Sequence, residues 1–269
     1  MNKSVQRIDY FILDLDGCVS DPFQSPDWAL LSELRQLSDL SYIDPNIPQL
    51  SICTGRPGPY TEAIGQWLNI KQPVIFEGGA GMLDLSTQNV KWNPALPSDA
   101  HSVINIMMQH IQTLKQQYPE IQPETSKTLD AAFTCSDPAV IRQLLPDFQA
   151  FVEQYCPRLC VHTTDISINA LWPQANKGSG LVWLCEEIQT SLANVAYIGD
   201  TGADIPAIEF AAIGFTPQNG TPANKKAADI VTTGYSTQGV LEAWHYLIEH
   251  NKRHIQPLHI KSETLIRLN

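Results

Sequence analysis

Two aspartates one residue apart, Asp14 and Asp16, follow directly on the apolar run 8–13 and are followed in turn by Gly17. Carboxylates can act as nucleophiles, proton carriers or metal ligands. Two of them can serve one reaction at a strand's carboxyl end if the chain bends out of the sheet between them. Gly17 makes that bend cheap, because it has no β-carbon to clash at unusual backbone angles. A buried strand that delivers acids to an open end suits a site at the carboxyl edge of a parallel sheet. Taken alone, the string reads equally well as a solvated turn.

Three further strings have the same character. In Ser51-Ile52-Cys53-Thr54-Gly55-Arg56, an apolar run ends in a hydroxyl followed by glycine, which can aim an O–H and a backbone N–H at a phosphate oxygen. Asn176-Lys177-Gly178 opens a helical pattern with a lysine where the helix macrodipole favours negative groups. An anion between Lys177 and the site would account for it. Gly199-Asp200-Thr201-Gly202-Ala203-Asp204 follows the apolar run 195–198 and brings two more acids to a strand end. Asp204 is placed to cap the short helix 205–210, whereas Asp200 has no such structural use.

The elements that must position these strings alternate. Apolar runs at 8–13, 50–53, 74–76, 195–198, 213–215 and 230–231 read as buried strands. Helical spacing fills the gaps at 27–40 (with Ser25 or Asp27 as N-cap), 60–68, 177–188 and 237–250. In 60–68 the spacing puts Tyr60, Ile64, Trp67 and Leu68 on one face. Strand–helix alternation implies an α/β fold with a parallel sheet covered on both faces.

The middle departs from this rhythm. A long helical stretch at 98–118, a strand at 129–134, a helix at 138–155 and a strand-like run at 161–171 describe helices packed on a short antiparallel sheet, an α+β arrangement. The glycine-rich 77–81 and the polar 173–176 bound it. The expectation is a core formed by residues 1–82 and 174–269, interrupted by an α+β domain at 83–173, with 254–269 as a mobile tail.

Composition narrows the partners. A net charge of −11 argues against a nucleic-acid surface or an anionic-membrane anchor, both of which need clustered Lys and Arg. It is compatible with a phosphorylated substrate, because a bound metal ion reverses the local sign. No apolar run approaches the roughly 20 residues of a membrane-spanning helix, and the start has no signal-peptide pattern, so a cytoplasmic protein is expected. Six cysteines form no CxxC pair and are expected to be buried, reduced thiols.

Together, in this order and at these strand ends, the four strings resemble the motifs of the haloacid dehalogenase superfamily of phosphohydrolases. The resemblance implies a Rossmann-like parallel-sheet core and makes Asp14 the nucleophile and Asp16 the general acid/base. It implies that Thr54, Gly55 and Lys177 hold the phosphate. Mg²⁺ would be bound by Asp14, the Asp16 backbone carbonyl and Asp200, with Asp204 as a further ligand or an acid behind the ligands. An insertion between Thr54 and Lys177 is similar to the family's C2-type cap, and its element order to the C2B branch of sugar-phosphate phosphatases and phosphomannomutases. Residues 75–81 resemble the stretch that precedes such caps. One departure is Ala203, where that branch often carries an asparagine, so any contact from that side chain is lost.

The resemblance therefore implies a Mg²⁺-dependent phosphatase acting on a small soluble phosphomonoester, either a sugar phosphate or a phosphorylated small carboxylate. An intramolecular phosphomutase is the alternative, and a non-catalytic phospho-ligand binder on the same fold is a third reading. Arg56, Asn169, Trp172 and the polar residues between Glu124 and Asp130 are the candidate readers of the leaving group.

Overall fold

The computed structural model describes residues 6–21 and 24–254. Its first half runs β1 (Tyr10–Leu13), α1 (Trp28–Ser41), β2 (Gln49–Ile52), α2 (Gly58–Trp67), β3 (Val74–Phe76), β4 (Gly81–Asp84) and β5 (Asn89–Trp92). The middle is α3 (Ala100–Gln117), β6 (Gln122–Pro123), β7 (Asp130–Thr134), α4 (Pro138–Tyr155), β8 (Cys160–Thr163) and β9 (Ser167–Leu171). The chain then returns through α5 (Lys177–Glu187), β10 (Val195–Ile198), α6 (Ile205–Phe210), β11 (Ile213–Thr216), α7 (Pro222–Ala227), β12 (Ile230–Val231) and α8 (Ser236–His254).

Five strands form a parallel sheet in the order β12-β11-β10-β1-β2. Its central strands are apolar and fully buried because helices cover both faces. One layer joins Phe11, Leu13, Leu50 and Phe215 to α1, α2 and α8, with Trp244 at its centre. The other joins Ile12, Tyr197 and Ile75 to α5 and α6. Asp27 caps α1 as expected, its Oδ1 accepting from the N–H groups of Ala29 and Leu30. Trp67, by contrast, does not share the buried face of Ile64 and Leu68: it is half exposed and packs on Trp28 with the two rings tilted.

The middle segment is α+β, with a four-stranded antiparallel sheet in the order β6-β7-β9-β8. Ala131, Phe133, Ile168 and Ala170 face Ile104, Met107, Ile111, Leu144 and Phe148 of α3 and α4. The single strand-like run at 161–171 is a hairpin, because Thr164 and Ser167 pair across a turn and fold β8 back onto β9. The strands β4 and β5 had no counterpart in the hydrophobic pattern. They form an antiparallel meander with β3 as far as Trp92, and a parallel bridge between Cys53 and Ile75 ties that meander to β2. Five of the six cysteines are buried, while Cys160 is exposed at a strand edge, so the expectation of buried thiols fails there. No helix among the described residues is long and apolar enough to cross a membrane. The tail expected at 254–269 lies, beyond His254, outside the described residues.

Candidate active site

The parallel sheet delivers the motif residues to one edge. Register places Leu13 beside both Ile198 and Ile52, so Asp14 leaves β1 flanked by the ends of β10 and β2. The Asp14 N–H still donates to the Ile198 carbonyl at 3.0 Å, and the Cys53 N–H donates to the Leu13 carbonyl at 2.9 Å. The carboxylate of Asp14 is thereby held at a buried strand end, only 3% exposed. The chain turns out at Gly17, whose φ of +70° is accessible mainly to glycine. A β-carbon there would also sit 2.0 Å from Asp200 Oδ2, so the turn and the packing of Asp200 demand the same residue.

Lys177, at the start of α5, reaches across the sheet end. Its Nζ lies 2.8 Å from Asp14 Oδ2 and 2.6 Å from Asp204 Oδ1, with the lysine side chain 7% exposed. Burial pulls its pKa down, but Asp14 and Asp204 outweigh that and leave it well above the usual lysine value. Burial pushes the Asp14 pKa up to about 8, aided by the nearby charge of Asp204 and opposed by Lys177. Asp200 is raised to about 7, again by burial first and Asp204 second. The carboxylates of Asp14, Asp200 and Asp204 each bring an oxygen within 4.8 Å of the others. Two buried acids and a partly buried one against one lysine leave an excess of negative charge, and Asp200 Oδ1 is buried with no hydrogen-bond partner. An all-oxygen donor set with an orphaned carboxylate oxygen fits a hard divalent cation such as Mg²⁺.

Asp204 does not cap α6. Its Oδ2 accepts from the Thr201 N–H and hydroxyl, while Oδ1 also accepts the Tyr197 hydroxyl at 2.7 Å. With both oxygens so engaged, Asp204 sits behind Asp14 and Lys177 and orients them. Tyr197 was invisible as a site residue, because its strand reads as uniformly apolar and only the tertiary fold gives its hydroxyl a partner.

Thr54 is buried at the end of β2, and its hydroxyl accepts from the Arg56 N–H at 3.2 Å. Asp16 projects outward, and Arg56 grips both of its carboxylate oxygens, Nε to Oδ2 at 2.7 Å and Nη2 to Oδ1 at 2.8 Å. Arg56 thus binds Asp16 directly and stacks over the Tyr60 ring. Asn219 donates to the Gly17 carbonyl at 2.8 Å and pins the turn from the far side.

The candidate leaving-group readers divide. Asn169 sits on the sheet face opposite the helices, within 3.2 Å of Lys127 Nζ. Trp172 is instead 1% exposed inside the core of the middle segment, under the Arg158 guanidinium, so its ring is not presented to the cleft. The glycine-rich 77–81 holds a residue that pattern reading passed over. Glu77 adopts φ of 48°, in the left-handed region unfavourable to a side-chain-bearing residue. Its carboxylate accepts the N–H groups of Thr128 at 2.9 Å and Leu129 at 2.6 Å, linking the end of β3 to the loop before β7. Burial raises its pKa to about 7 despite those two bonds.

A family model described as haloacid dehalogenase-like hydrolase matches residues 99–243. Over 243 residues the chain is 23% identical to a Methanopyrus kandleri protein named phosphoglycolate phosphatase, covering 88% of this chain and 96% of that one. A solved structure from Thermoplasma acidophilum superposes with a TM-score of 0.72 at 15% identity, over 90% of this chain and 99% of the other. A haloacid dehalogenase-like hydrolase from Bacteroides thetaiotaomicron gives 0.69 at 17% identity, over 90% and 100%. At these identities the two structures speak for the fold.

Proposed function

Because the chain belongs to the haloacid dehalogenase-like hydrolases, we propose that it is a Mg²⁺-dependent phosphatase of small soluble phosphomonoesters, working through an aspartyl-phosphate. The observation that carries this reading is the cluster of buried Asp14, Lys177 and Asp204 with the partly buried Asp200 at the carboxyl edge of the parallel sheet. A structural cluster would have no use for three acids around one lysine, because unpaired buried charge is costly. A site that must receive a metal ion and a phosphate dianion has that use.

Asp14, Asp200 and the backbone carbonyl of Asp16 would hold Mg²⁺, with Asp204 behind them. The ion, when bound, offsets the charge of the acids and of the phosphate oxygens. Asp14 attacks phosphorus in line and forms the acyl phosphate, splitting one hard displacement into two easier ones. Lys177 holds Asp14 in place and, with the Thr54 hydroxyl and the Gly55 backbone, takes phosphate oxygens. Asp16 protonates the departing alkoxide and later accepts a proton from the attacking water. For that it must give up at least one of its two bonds from Arg56. In this reading residues 83–173 form the cap over a core of 1–82 and 174–269, and the cap meets the leaving group. The relative named phosphoglycolate phosphatase makes a phosphorylated small carboxylate one candidate class and sugar phosphates the other. A cytoplasmic location accords with such metabolites.

The test is phosphate release from a panel of small phosphomonoesters with Mg²⁺, with EDTA, and in an Asp16→Asn variant. Turnover is expected to vanish in EDTA. Asp16→Asn should slow an alkyl phosphate much more than p-nitrophenyl phosphate, whose leaving group needs no proton. Full activity in EDTA would remove the metal, and equal slowing of the two esters would remove Asp16 from the acid role.

A further inference from the structure

Glu77 stands where the chain leaves β3 for the cap, and it is bonded on both sides of that crossing. Its N–H donates to the Arg56 carbonyl at 2.9 Å, and the next N–H, of Gly78, donates to the Thr54 carbonyl at 2.8 Å. On the other side its carboxylate accepts one N–H on each oxygen, Thr128 at 2.9 Å on Oε1 and Leu129 at 2.6 Å on Oε2. The returning chain is packed against the same turn. Gly79, at φ of +112°, lies so close to it that a β-carbon would sit 2.6 Å from the Asn176 carbonyl oxygen.

Two costs are borne at this one position. The left-handed backbone at φ of 48° would suit glycine, which fills the next two positions. A carboxylate in a residue only 3% exposed also gives up its hydration for two backbone donors. A turn needs neither cost, since glycine makes it without strain. What the side chain adds is a link across 51 and 52 positions, from the turn bonded to 54–56 to the loop 124–129. That loop lies on the Arg56 side of the site. Burial works to lower the Arg56 pKa, whereas Asp16, then Tyr60 and Glu124 of this loop, raise it.

Resting on the phosphatase reading above, we propose that Glu77 is a positioning residue whose side chain sets the cap loop 124–129 against the phosphate-binding loop 54–56, where Asp16 and Arg56 meet the departing alcohol. Loss of the carboxylate leaves the N–H groups of residues 77 and 78 on the Arg56 and Thr54 carbonyls, so the phosphate side keeps its shape. The loop over the leaving group loses two of its anchors. Turnover should therefore suffer where the leaving group must be protonated and covered, and persist where it need not be.

Three full-length chains test this with Mg²⁺ at pH 8, above the Glu77 pKa: wild type, Glu77→Gln and Glu77→Gly. Glycine removes the link and relieves the backbone, so that variant is expected to fold. Amide hydrogen exchange at Thr128 and Leu129 should quicken at least tenfold in it, with the amides of β1 and β10 unchanged. Of glycerol 3-phosphate, 2-phosphoglycolate and glucose 6-phosphate, the ester that wild type turns over fastest should lose at least tenfold in kcat/KM. Acetyl phosphate, whose leaving group needs no proton, should lose less than threefold. Glu77→Gln keeps one acceptor and should fall between wild type and Glu77→Gly, the reverse of the order that backbone strain alone would give. Should the glycine variant not fold, the same comparisons are read on Glu77→Gln, with a threefold loss expected for the alkyl ester. Unchanged exchange at Thr128 and Leu129, equal slowing of the alkyl ester and acetyl phosphate, or alkyl-ester turnover at or above wild type would each overturn the proposal while leaving the phosphatase reading intact. No turnover of any of these esters by wild type would overturn both.

Discussion

Among the described residues two lysine side chains are buried, each between two carboxylates, and they do different work. Lys177 bridges Asp14 and Asp204, and Lys127 bridges Glu124 and Asp130, with contacts of 2.6–2.9 Å in both clusters. In both, burial works against the charged amine and two acids outweigh it. The difference lies in where the partners come from. Glu124, Lys127 and Asp130 are spaced three apart along one loop, so a short length of chain can assemble them. Asp14, Lys177 and Asp204 arrive from three separate strand or helix ends and exist as a cluster only when the parallel sheet is formed. A third acid, Asp200, then adds a carboxylate whose Oδ1 has no hydrogen-bond partner. The local cluster closes on itself apart from one acceptor, and the assembled one keeps acids in excess of its lysine.

Removing the proposed nucleophile, Asp14, should produce the largest effect. Asp14→Asn keeps shape and burial but cannot attack phosphorus. We expect turnover to fall by more than a thousandfold, roughly 4 kcal/mol or more of barrier, in a protein that remains folded. Retention of a tenth of the activity would take Asp14 out of that role. The lysines themselves come next. Lys177→Met and Lys127→Met each leave two acids without their cation, both buried in the first case and only Asp130 buried in the second, at a cost on the order of 3–5 kcal/mol in denaturant unfolding. Added Mg²⁺ should recover much of the loss in Lys177→Met and none in Lys127→Met. Equal responses to Mg²⁺ would erase the distinction between the clusters.

Glu77, which joins the two regions, gives a pH-dependent effect. Its carboxyl is raised by burial from the ordinary 4.5 to about 7. The folded protein therefore holds this proton more tightly than the unfolded chain. The contribution to stability is complete below about pH 4.5 and is lost as pH rises through 7. Measured against Glu77→Gln, which cannot titrate, wild-type stability should fall by about 2–3 kcal/mol between pH 4.5 and 8. Parallel curves for the two proteins would show that Glu77 does not titrate in this window. The smallest effect concerns helix caps in the two regions. Asp27 caps α1 and Asp137 caps α4, each through its side chain. Alanine at either position should cost about 1 kcal/mol. If core and cap unfold separately, Asp137→Ala should shift only the cap's transition in calorimetry.

Much of the architecture was readable from hydrophobic period alone. The five sheet strands alternate with helices whose apolar spacing is regular, and the helix 138–155 is bounded in the fold as its pattern predicts, because Asp137 and Pro138 mark its start. What failed to show were elements whose burial is one-sided or absent. β5 is exposed along its whole length and alternates over only four residues, too few to stand out, so the β3–β4–β5 meander could not be seen. The turn inside 161–171 escaped notice because its residues lack glycine and proline, and only cross-strand pairing folds it. At the site, the acids and Lys177 stand out because each breaks the apolar logic of a buried strand or helix start. Tyr197, Glu77 and Lys127 do not, since a lone tyrosine in a strand, an acid in a turn and a lysine in a loop are ordinary until the fold buries them.

The amino-acid sequence by itself determined the α/β alternation, the α+β interruption and the delivery of Asp14, Thr54, Lys177 and Asp200 to strand and helix ends. These depend on local period and on residue types whose chemistry does not need a partner to be recognised. Tertiary structure decided which charges face which. Asp204 does not cap α6, because its Oδ1 is taken by Lys177 and Tyr197 and its Oδ2 by Thr201. Arg56 turned onto Asp16, and Trp172 went into the cap core. Pairings of that kind join residues tens to hundreds of positions apart, and their energy depends on burial, which no stretch of sequence holds until the sheet has closed around it.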